Sequence, residues 1–265
     1  MTDWWWAYLA LGAFVGFFSG LLGIGGGAAM VPVLAFIFSA KQFAPAHVVH
    51  LALGTAISTI AFTSVASVLS HHRHRAVNWR NVSRIAPGIF AGTFGGALLA
   101  GYMELRALSL IFTVLIYYLS AQMLFDRKPV PGRTVSGWSG LWLAAAAIGV
   151  VSSLTATGGA ALVVAYLTKR GVRIHEAIGT AAAVGWPLAM AGAIGYVVSG
   201  LRATGLPPYS FGYVYLPAVL GIVLASVATA PLGARIAHRT PGRTLRKVFA
   251  LVLFVLATSM FLRFF

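Results

Sequence analysis

The stretch SGLLGIGGGAAMVP, Ser19 to Pro32, places five glycines inside an apolar run that reaches from Trp4 to Phe38. In a soluble protein such a cluster would indicate a loop. The composition excludes a soluble protein, because 59% of the 265 residues are hydrophobic, only 9% are charged and the mean hydropathy is +0.88. Ordinary globular domains are about 45–50% apolar and about 25% charged. The glycines therefore interrupt an apolar segment of a membrane protein.

Apolar stretches of about 20 residues recur along the chain, and each is long enough to cross a hydrocarbon core of about 30 Å. They cover residues 4–22, 51–69, 85–103, 107–125, 138–154, 177–198, 211–236 and 245–262. Two shorter runs, 28–38 and 160–167, follow glycine-rich breaks. The pattern predicts an all-α polytopic membrane protein. No basic residue precedes the first stretch, so no cleavable signal peptide is expected, and the absence of cysteine excludes disulfides and thiol chemistry.

The net charge of +15 comes from 19 Lys and Arg against four acids. The basic residues cluster in four loops between apolar stretches: 73–84, 127–133, 169–173 and 235–247. This is the positive-inside pattern, with contact to anionic lipid as a further gain. It predicts cytoplasmic loops and membrane lipid as a partner, and it argues against nucleic acid. Both chain termini are then expected outside the cell.

Under this assignment, residues 138–167 lie between two cytoplasmic loops, so they must form a hairpin that enters and leaves on the same side. The first half has the same design. Gly16–Leu34 aligns with Gly149–Leu167, including Ser19 with Ser152 and Gly26 with Gly159. Further on, HLALGTA from His50 matches HEAIGTA from His175. These matches in the same order predict an internal duplication.

The charge pattern places the two copies in opposite orientations. We predict two inverted repeats, each a glycine-broken helical hairpin followed by three transmembrane helices, which is a plan that secondary transporters use. The first repeat covers 1–126 with its hairpin at 4–38. A cytoplasmic linker covers 127–137, and the second repeat covers 138–265 with its hairpin at 138–167. Whether segments 4–22 and 138–154 span the membrane fully or re-enter stays open.

The two hairpin breaks are the candidate substrate site. Non-helical backbone at membrane depth must line protein or a wet cavity, because unpaired amides facing lipid cost several kcal/mol each. Glycines allow main-chain N–H groups to converge, and the following helix offers its N-terminus. The alternative is close helix packing through small residues, which we expect for isolated glycines such as Gly92, Gly95, Gly96 and Gly101. The predicted substrate-binding residues are Ser19, Gly25, Gly26, Gly27, Thr55, Ser152, Thr155, Thr157, Gly158, Gly159 and Thr180.

An anion is the favoured ligand. The four acids, Asp3, Glu104, Asp126 and Glu176, all lie at or near segment ends, whereas cation transporters usually need an intramembrane carboxylate. His50, His175 and Glu176 at the starts of long helices are candidates for a gate or proton relay, with a helix-entry role as the alternative. No metal spacing, nucleotide loop or nucleophile–base pair occurs, so no cofactor or enzymatic activity is predicted.

Several of these stretches resemble the sulfite exporter TauE/SafE family, also called TSUP permeases. They are GFFSGLLGIGGGAAMVPVL from Gly16, LGTA from Leu53, the degenerate copy from Gly149, IGTA from Ile178 and APLGARIAHR from Ala230. The resemblance implies a multi-pass permease of the bacterial-type inner membrane for sulfite, organosulfonates or related anions. The second copy departs from the glycine-rich pattern, with Ala156 and Thr157 opposite Gly23 and Ile24.

The functional expectation is therefore a secondary transporter of small anions that works by alternating access. A passive anion channel and a carrier of organic carboxylates remain alternatives, as does a membrane protein that transports nothing. The oligomeric state, monomer or homodimer, the direction of transport and the coupling ion stay open.

Overall fold

The structure is a computed structural model that describes residues 4–22, 26–73, 75–125, 138–237 and 242–265. Within these ranges the chain forms ten α-helices and one small β-hairpin. The helices are α1 (Trp5–Leu22), α2 (Gly27–Ala40), α3 (Val48–Arg73), α4 (Trp79–Gly101), α5 (Leu105–Leu124), α6 (Trp138–Thr155), α7 (Ala160–Lys169), α8 (Ile174–Gly200), α9 (Leu216–Ala237) and α10 (Gly242–Phe264). A short 3₁₀ helix, Pro45–His47, precedes α3, and strands β1 (Ser210–Phe211) and β2 (Val214–Tyr215) pair antiparallel before α9.

The all-α polytopic prediction is confirmed. Among the described residues, six helices are long and apolar enough to cross a membrane, namely α3, α4, α5, α8, α9 and α10. The other four, α1, α2, α6 and α7, are shorter apolar helices in two consecutive pairs. Exposed Leu, Phe, Val and Trp side chains cover the outside of the bundle, as expected of a surface that faces lipid.

The first short pair, α1 and α2, forms a hairpin whose two outer ends lie together. Lys41, which follows α2, has its Nζ atom 3.4 Å from the Tyr8 hydroxyl near the start of α1. At its tip, Gly26 lies against Val15 in the middle of α1. Gly27 also contacts Ile60, near the centre of α3. The tip therefore lies at mid-depth in the bundle.

The second short pair, α6 and α7, turns back at residues 156–159. Ala156, Gly158 and Gly159 have φ values of 48°, 68° and 67°, a left-handed conformation that glycine adopts without strain. Gly159 packs against Leu188, near the centre of α8. The tip of this hairpin therefore also lies at mid-depth.

Each hairpin packs on a helix of the other half. α1 lies along α9, and α6 lies along α4, while α3 packs on α8 and α5 on α10. Helices α1 and α9 run parallel, because Gly12 contacts Ile222 and Gly20, further along α1, contacts Ala230, further along α9. Glycines make this close approach possible, because a Cβ at Gly16, Gly20 or Gly92 would overlap with backbone or side-chain atoms of the partner helix.

Two predicted helix boundaries are wrong. Residues 211–215 were expected to belong to the helix before 236, but they form the β-hairpin, and α9 begins at Leu216. The basic residues Arg80 and Arg84 were expected in a loop, but they lie in the first turns of α4, which begins at Trp79. Asn78 starts that helix early, because its side chain accepts a hydrogen bond from the Asn81 N–H and caps the first turn.

Candidate functional site at the hairpin tips

The tips of the two hairpins touch each other in the centre of the bundle. A Cβ on Gly27, the first residue of α2, would overlap with the carbonyl oxygen of Ala156 in the other tip. Gly158 lies beside Ile60 of α3, and Gly185 of α8 lies beside the Gly158 carbonyl. The two interrupted segments thus meet between the middles of α3 and α8.

Both short helices begin at this point, and glycine is the residue before each of them. Gly26 precedes α2 and Gly159 precedes α7, and neither helix has a side-chain cap from that residue. The sequence alignment pairs these two glycines, and each stands directly before a short helix. The two N-termini carry partial positive charge from the helix dipoles. The centre of the bundle is therefore suited to a negative group.

Gly26, in the first break, does not share the left-handed conformation of Gly158 and Gly159 in the second. Gly26 has φ −85° and ψ 10°, which other residues can adopt. Packing, and not backbone conformation, requires glycine at this position, because a Cβ on Gly26 would lie 2.5 Å from Cγ1 of Val15. Gly25, also predicted to bind substrate, lies outside the described residues.

Hydroxyl groups surround the second tip. Thr155 and Thr157 are joined by a hydrogen bond of 3.0 Å between their Oγ1 atoms. Ser152 is fully buried beside Gly159, and its hydroxyl donates to the Ile148 carbonyl at 2.7 Å. Thr155 also donates to the Val151 carbonyl at 2.8 Å. A hydroxyl has a single proton, so Ser152 and Thr155 must turn away from these carbonyls before they can donate to another group. Ser19, the counterpart of Ser152, is half-buried near the end of α1.

Thr55 and Thr180 do not lie at the tips. Thr55 is five residues before Ile60 on α3, and Thr180 is eight residues before Leu188 on α8. With a rise of 1.5 Å per residue, these separations are roughly 7 and 12 Å along the helix axes. Both side chains are fully buried, and each has a partner in the other half of the chain.

These partners are equivalent in the two halves. The Thr55 hydroxyl accepts a hydrogen bond of 3.0 Å from the Tyr215 N–H, just before α9. The Thr180 hydroxyl accepts one of 3.1 Å from the Asn78 N–H, just before α4. The preceding glycines match as well, because a Cβ on Gly54 would overlap with the Tyr213 carbonyl and one on Gly179 with the Ala76 carbonyl. We call each Gly-Thr pair with its bound segment a docking socket.

The two aligned histidines differ in environment. His50 is 3% exposed, and its Nε2 atom lies 3.0 Å from the Ala100 carbonyl and 3.1 Å from that of Met103. Because carbonyls only accept, Nε2 carries the proton, and His50 binds the C-terminal end of α4. His175 is exposed at the start of α8. The neighbouring Glu176 accepts a hydrogen bond from the Asn78 side chain.

Sequence reasoning missed a further group at the end of α2. Lys41 lies among Tyr8, Phe43 and Tyr215, with its Nζ 3.0 Å from the Tyr215 hydroxyl. The signal for this group was a single lysine next to an apolar run, in a connection that the charge pattern placed outside the cell. Aromatic residues that are scattered along the sequence could not be assigned to it without the fold.

The chain matches the family model described as Sulfite exporter TauE/SafE over residues 8–260. It belongs to the TauE/SafE family. Among its relatives, a probable membrane transporter protein of Haemophilus influenzae is 37% identical over 96% of this chain and 97% of that protein. One of Methanocaldococcus jannaschii is 24% identical over 96% and 94%. YdhB, a probable membrane transporter protein of Bacillus subtilis, is 28% identical over 70% and 76%.

No solved structure matches the chain. Membership of the TauE/SafE family makes the chain a multi-pass membrane transporter, and the helix composition agrees with that class.

Proposed function

We propose that this TauE/SafE protein is a secondary transporter of small anions, and that its substrate is sulfite, an organosulfonate or a related sulfur-containing anion. The family description supports the choice of sulfur anion. The location that we propose for the site is supported by one structural observation. The two hairpin tips touch at Gly27 and Ala156, between the middles of α3 and α8.

The polarity of the tips supports an anion. Two helices, α2 and α7, begin there without a side-chain cap, and Thr155 and Thr157 add hydroxyls. Removing an anion from water costs tens of kcal/mol by a Born estimate, whereas one charge-assisted hydrogen bond returns about 1.5–3 kcal/mol. Several donors must therefore converge on the ion. We assign this role to the N–H groups of Gly26, Gly27, Gly158 and Gly159, and to the hydroxyls of Ser152 and Thr157, which must turn from their present partners toward the ion.

Alternating access follows from the proposed inverted repeat. The order of helices is the same in both halves, and the packing of α1 on α9 corresponds to that of α6 on α4. We propose that the two halves lie in opposite orientations in the bacterial-type inner membrane, with both termini outside. Movement of one half against the other would then expose the tips first to one side and then to the other.

Flux into liposomes that contain the purified protein tests the proposal. Sulfite, thiosulfate, sulfate, a sulfonate and a small carboxylate would be compared, with and without a pH gradient. We expect saturable uptake of a sulfur anion that is accelerated by the same anion on the opposite side. Uptake without saturation or counter-flow would indicate a passive channel, preference for the carboxylate would indicate an organic anion carrier, and no uptake by folded protein would reject the sulfur-anion assignment.

A further inference from the structure

Lys41 is a cation enclosed by aromatic side chains at the end of α2. Its Nζ atom lies 4.9 Å from the ring centroid of Tyr215, 5.1 Å from that of Phe43 and 5.6 Å from that of Tyr8. The hydroxyls of Tyr215 and Tyr8 lie 3.0 and 3.4 Å from Nζ. Three elements thus meet at one ammonium group: α1, the segment after α2, and strand β2.

Within the described residues, no carboxylate neutralises this ammonium. Cation–π contacts with ring faces stabilise a charge without cancelling it. Of the two acids in the described part of the chain, Glu176 binds Asn78 near the start of α4, and Glu104 precedes α5 and is exposed. Neither is a partner of Lys41 in the described contacts. The charge therefore remains available to an anion.

The group also has unused hydrogen-bond donors. An ammonium has three N–H bonds, and two of them point to the hydroxyls of Tyr8 and Tyr215. The two phenols also share a hydrogen bond with each other, so the pair retains one O–H proton for donation. Both tyrosines are nearly fully buried, whereas Lys41 is only half-buried. A small ion that approaches from the Lys41 side would meet an N–H donor with one phenolic donor behind it.

We propose that Lys41, Tyr8 and Tyr215 form a binding site for a small oxyanion at the end of α2, where the ion is held before it reaches the hairpin tips. The class of ligand rests on the proposed function. The site also joins the two halves of the chain. Tyr8 belongs to the first half and Tyr215 to the second, and the backbone of Tyr215 lies in the docking socket of Thr55. An ion bound at Lys41 thus contacts the segment that leads into α9.

A purely structural role for Lys41 makes a different prediction. A lysine at a helix C-terminus is stabilised by the helix dipole, and ring contacts could fasten α2 to α9 without any ligand. Such a role would affect the melting temperature but not the affinity for anions. The experiment must therefore measure binding and stability separately.

The test is a calorimetric titration of the purified, full-length protein in lipid nanodiscs. Sulfite and sulfate are titrated separately. We expect Lys41→Met to weaken binding of the preferred anion by about tenfold or more, the scale of one lost charge-assisted hydrogen bond. Lys41→Arg keeps the charge and should bind within about threefold of the unchanged protein, since a guanidinium also donates to oxyanions. The double variant Tyr8→Phe, Tyr215→Phe keeps the rings but removes both hydroxyls, and it should lose affinity severalfold.

Two controls complete the design. Lys169→Met removes the same charge from the exposed end of α7 and should leave binding unchanged. Asp3, outside the described residues, lies five positions before Tyr8 in sequence, and Asp3→Asn should leave affinity equal or raise it. Melting temperatures without anion show whether each variant is folded.

The outcomes separate this proposal from the proposed function. Lys41-dependent binding without any flux would support the site and contradict the transporter. Flux with equal KM and kcat in Lys41→Met and the unchanged protein would overturn the site and leave the transporter standing. Equal affinity in Lys41→Met, the double tyrosine variant and the unchanged protein would also overturn the site. Absence of both binding and flux for every anion tested would overturn both.

Discussion

At the scale of residues, the repeated Gly-Thr pairs have the same task in both halves. Gly54 and Gly179 allow a carbonyl of the opposite half to approach. Thr55 and Thr180 each accept a hydrogen bond from the N–H of the residue two positions after that carbonyl. The bound segments lead into α9 and α4, the helices that also receive the two hairpins. The repeated motif that we assigned to substrate binding therefore has a structural function that the sequence did not reveal.

The docking sockets predict matched effects of Thr55→Val and Thr180→Val. Valine preserves the shape but removes the acceptor of an N–H that is buried at Tyr215 and partly buried at Asn78. A buried N–H without an acceptor costs about 1–3 kcal/mol, and the lower end of this range is expected for Thr180→Val. We expect each variant to lower the free energy of unfolding of the detergent-solubilised protein by that amount. Thr55→Ser and Thr180→Ser retain the hydroxyl and should recover most of the loss. Equal stability of the valine and serine variants would contradict this role.

The contact of the tips predicts a strong effect of Gly27→Ala. The added methyl group would overlap with the Ala156 carbonyl, so the hairpins must separate. We expect anion flux to fall by at least tenfold while the protein still reaches the membrane. A displacement of about 1 Å in the groups that position a substrate can lower a rate about 100-fold. Gly95→Ala is the matched control, since nothing lies within 4 Å of a Cβ at that helical position. Retained flux in Gly27→Ala would show that the tips are not the site.

His50 and His175 illustrate how far a repeated residue can be interpreted. Both begin long helices, as predicted, but only His50 is buried and bound to carbonyls. The role of either in gating or proton transfer stays a prediction. The end of α4 lies against His50, whereas His175 is exposed, and a sequence motif does not encode such neighbours.

At the scale of elements, stripes of glycine at every fourth position decide which helices pair. Gly12, Gly16 and Gly20 face α9, and Gly88, Gly92 and Gly96 face α6. In lipid the hydrophobic effect does not hold helices together, so close backbone approach through small residues takes its place. The packing role predicted for Gly92, Gly96 and Gly101 agrees with these contacts, whereas Gly95 has no such neighbour.

The stripes predict that Gly92→Leu separates α4 from α6. A leucine there would overlap with the Ala146 backbone, and overpacking of this kind costs about 1–3 kcal/mol or more. We expect a lower melting temperature and loss of flux, because α6 carries the second tip. Gly95→Leu, on the same helix, is the control and should change neither quantity appreciably. A stable, active Gly92→Leu protein would refute the pairing.

At the scale of the whole molecule, each hairpin bridges the two halves. Its first helix lies along a helix of the other half, α1 on α9 and α6 on α4, whereas its second helix packs on its own half, α2 on α3 and α7 on α8. Both tips are thereby placed between the two halves, where they touch at Gly27 and Ala156.

The proposed inversion predicts opposite accessibility of two connections. Because the chain has no cysteine, a single introduced cysteine can be labelled without background. Tyr102, between α4 and α5, is exposed, and Gly171, between α7 and α8, has nothing within 4 Å of a Cβ. We expect a membrane-impermeant maleimide added to whole cells to label Tyr102→Cys, and to label Gly171→Cys only after the cells are opened. Labelling of both from the same side would contradict the inverted arrangement.

The sequence by itself determined the membrane class, the ten apolar helices, the position of both breaks and the family. These properties depend on local hydrophobicity, on glycine and on motifs, all of which can be read along the chain. The tertiary structure decided the pairing of α1 with α9 and of α6 with α4, the contact of Gly27 with Ala156, the docking sockets and the aromatic enclosure of Lys41. Each of these contacts joins residues far apart in sequence. In lipid, such pairing depends on shape and hydrogen bonding, because an apolar side chain gains little from leaving lipid for another helix.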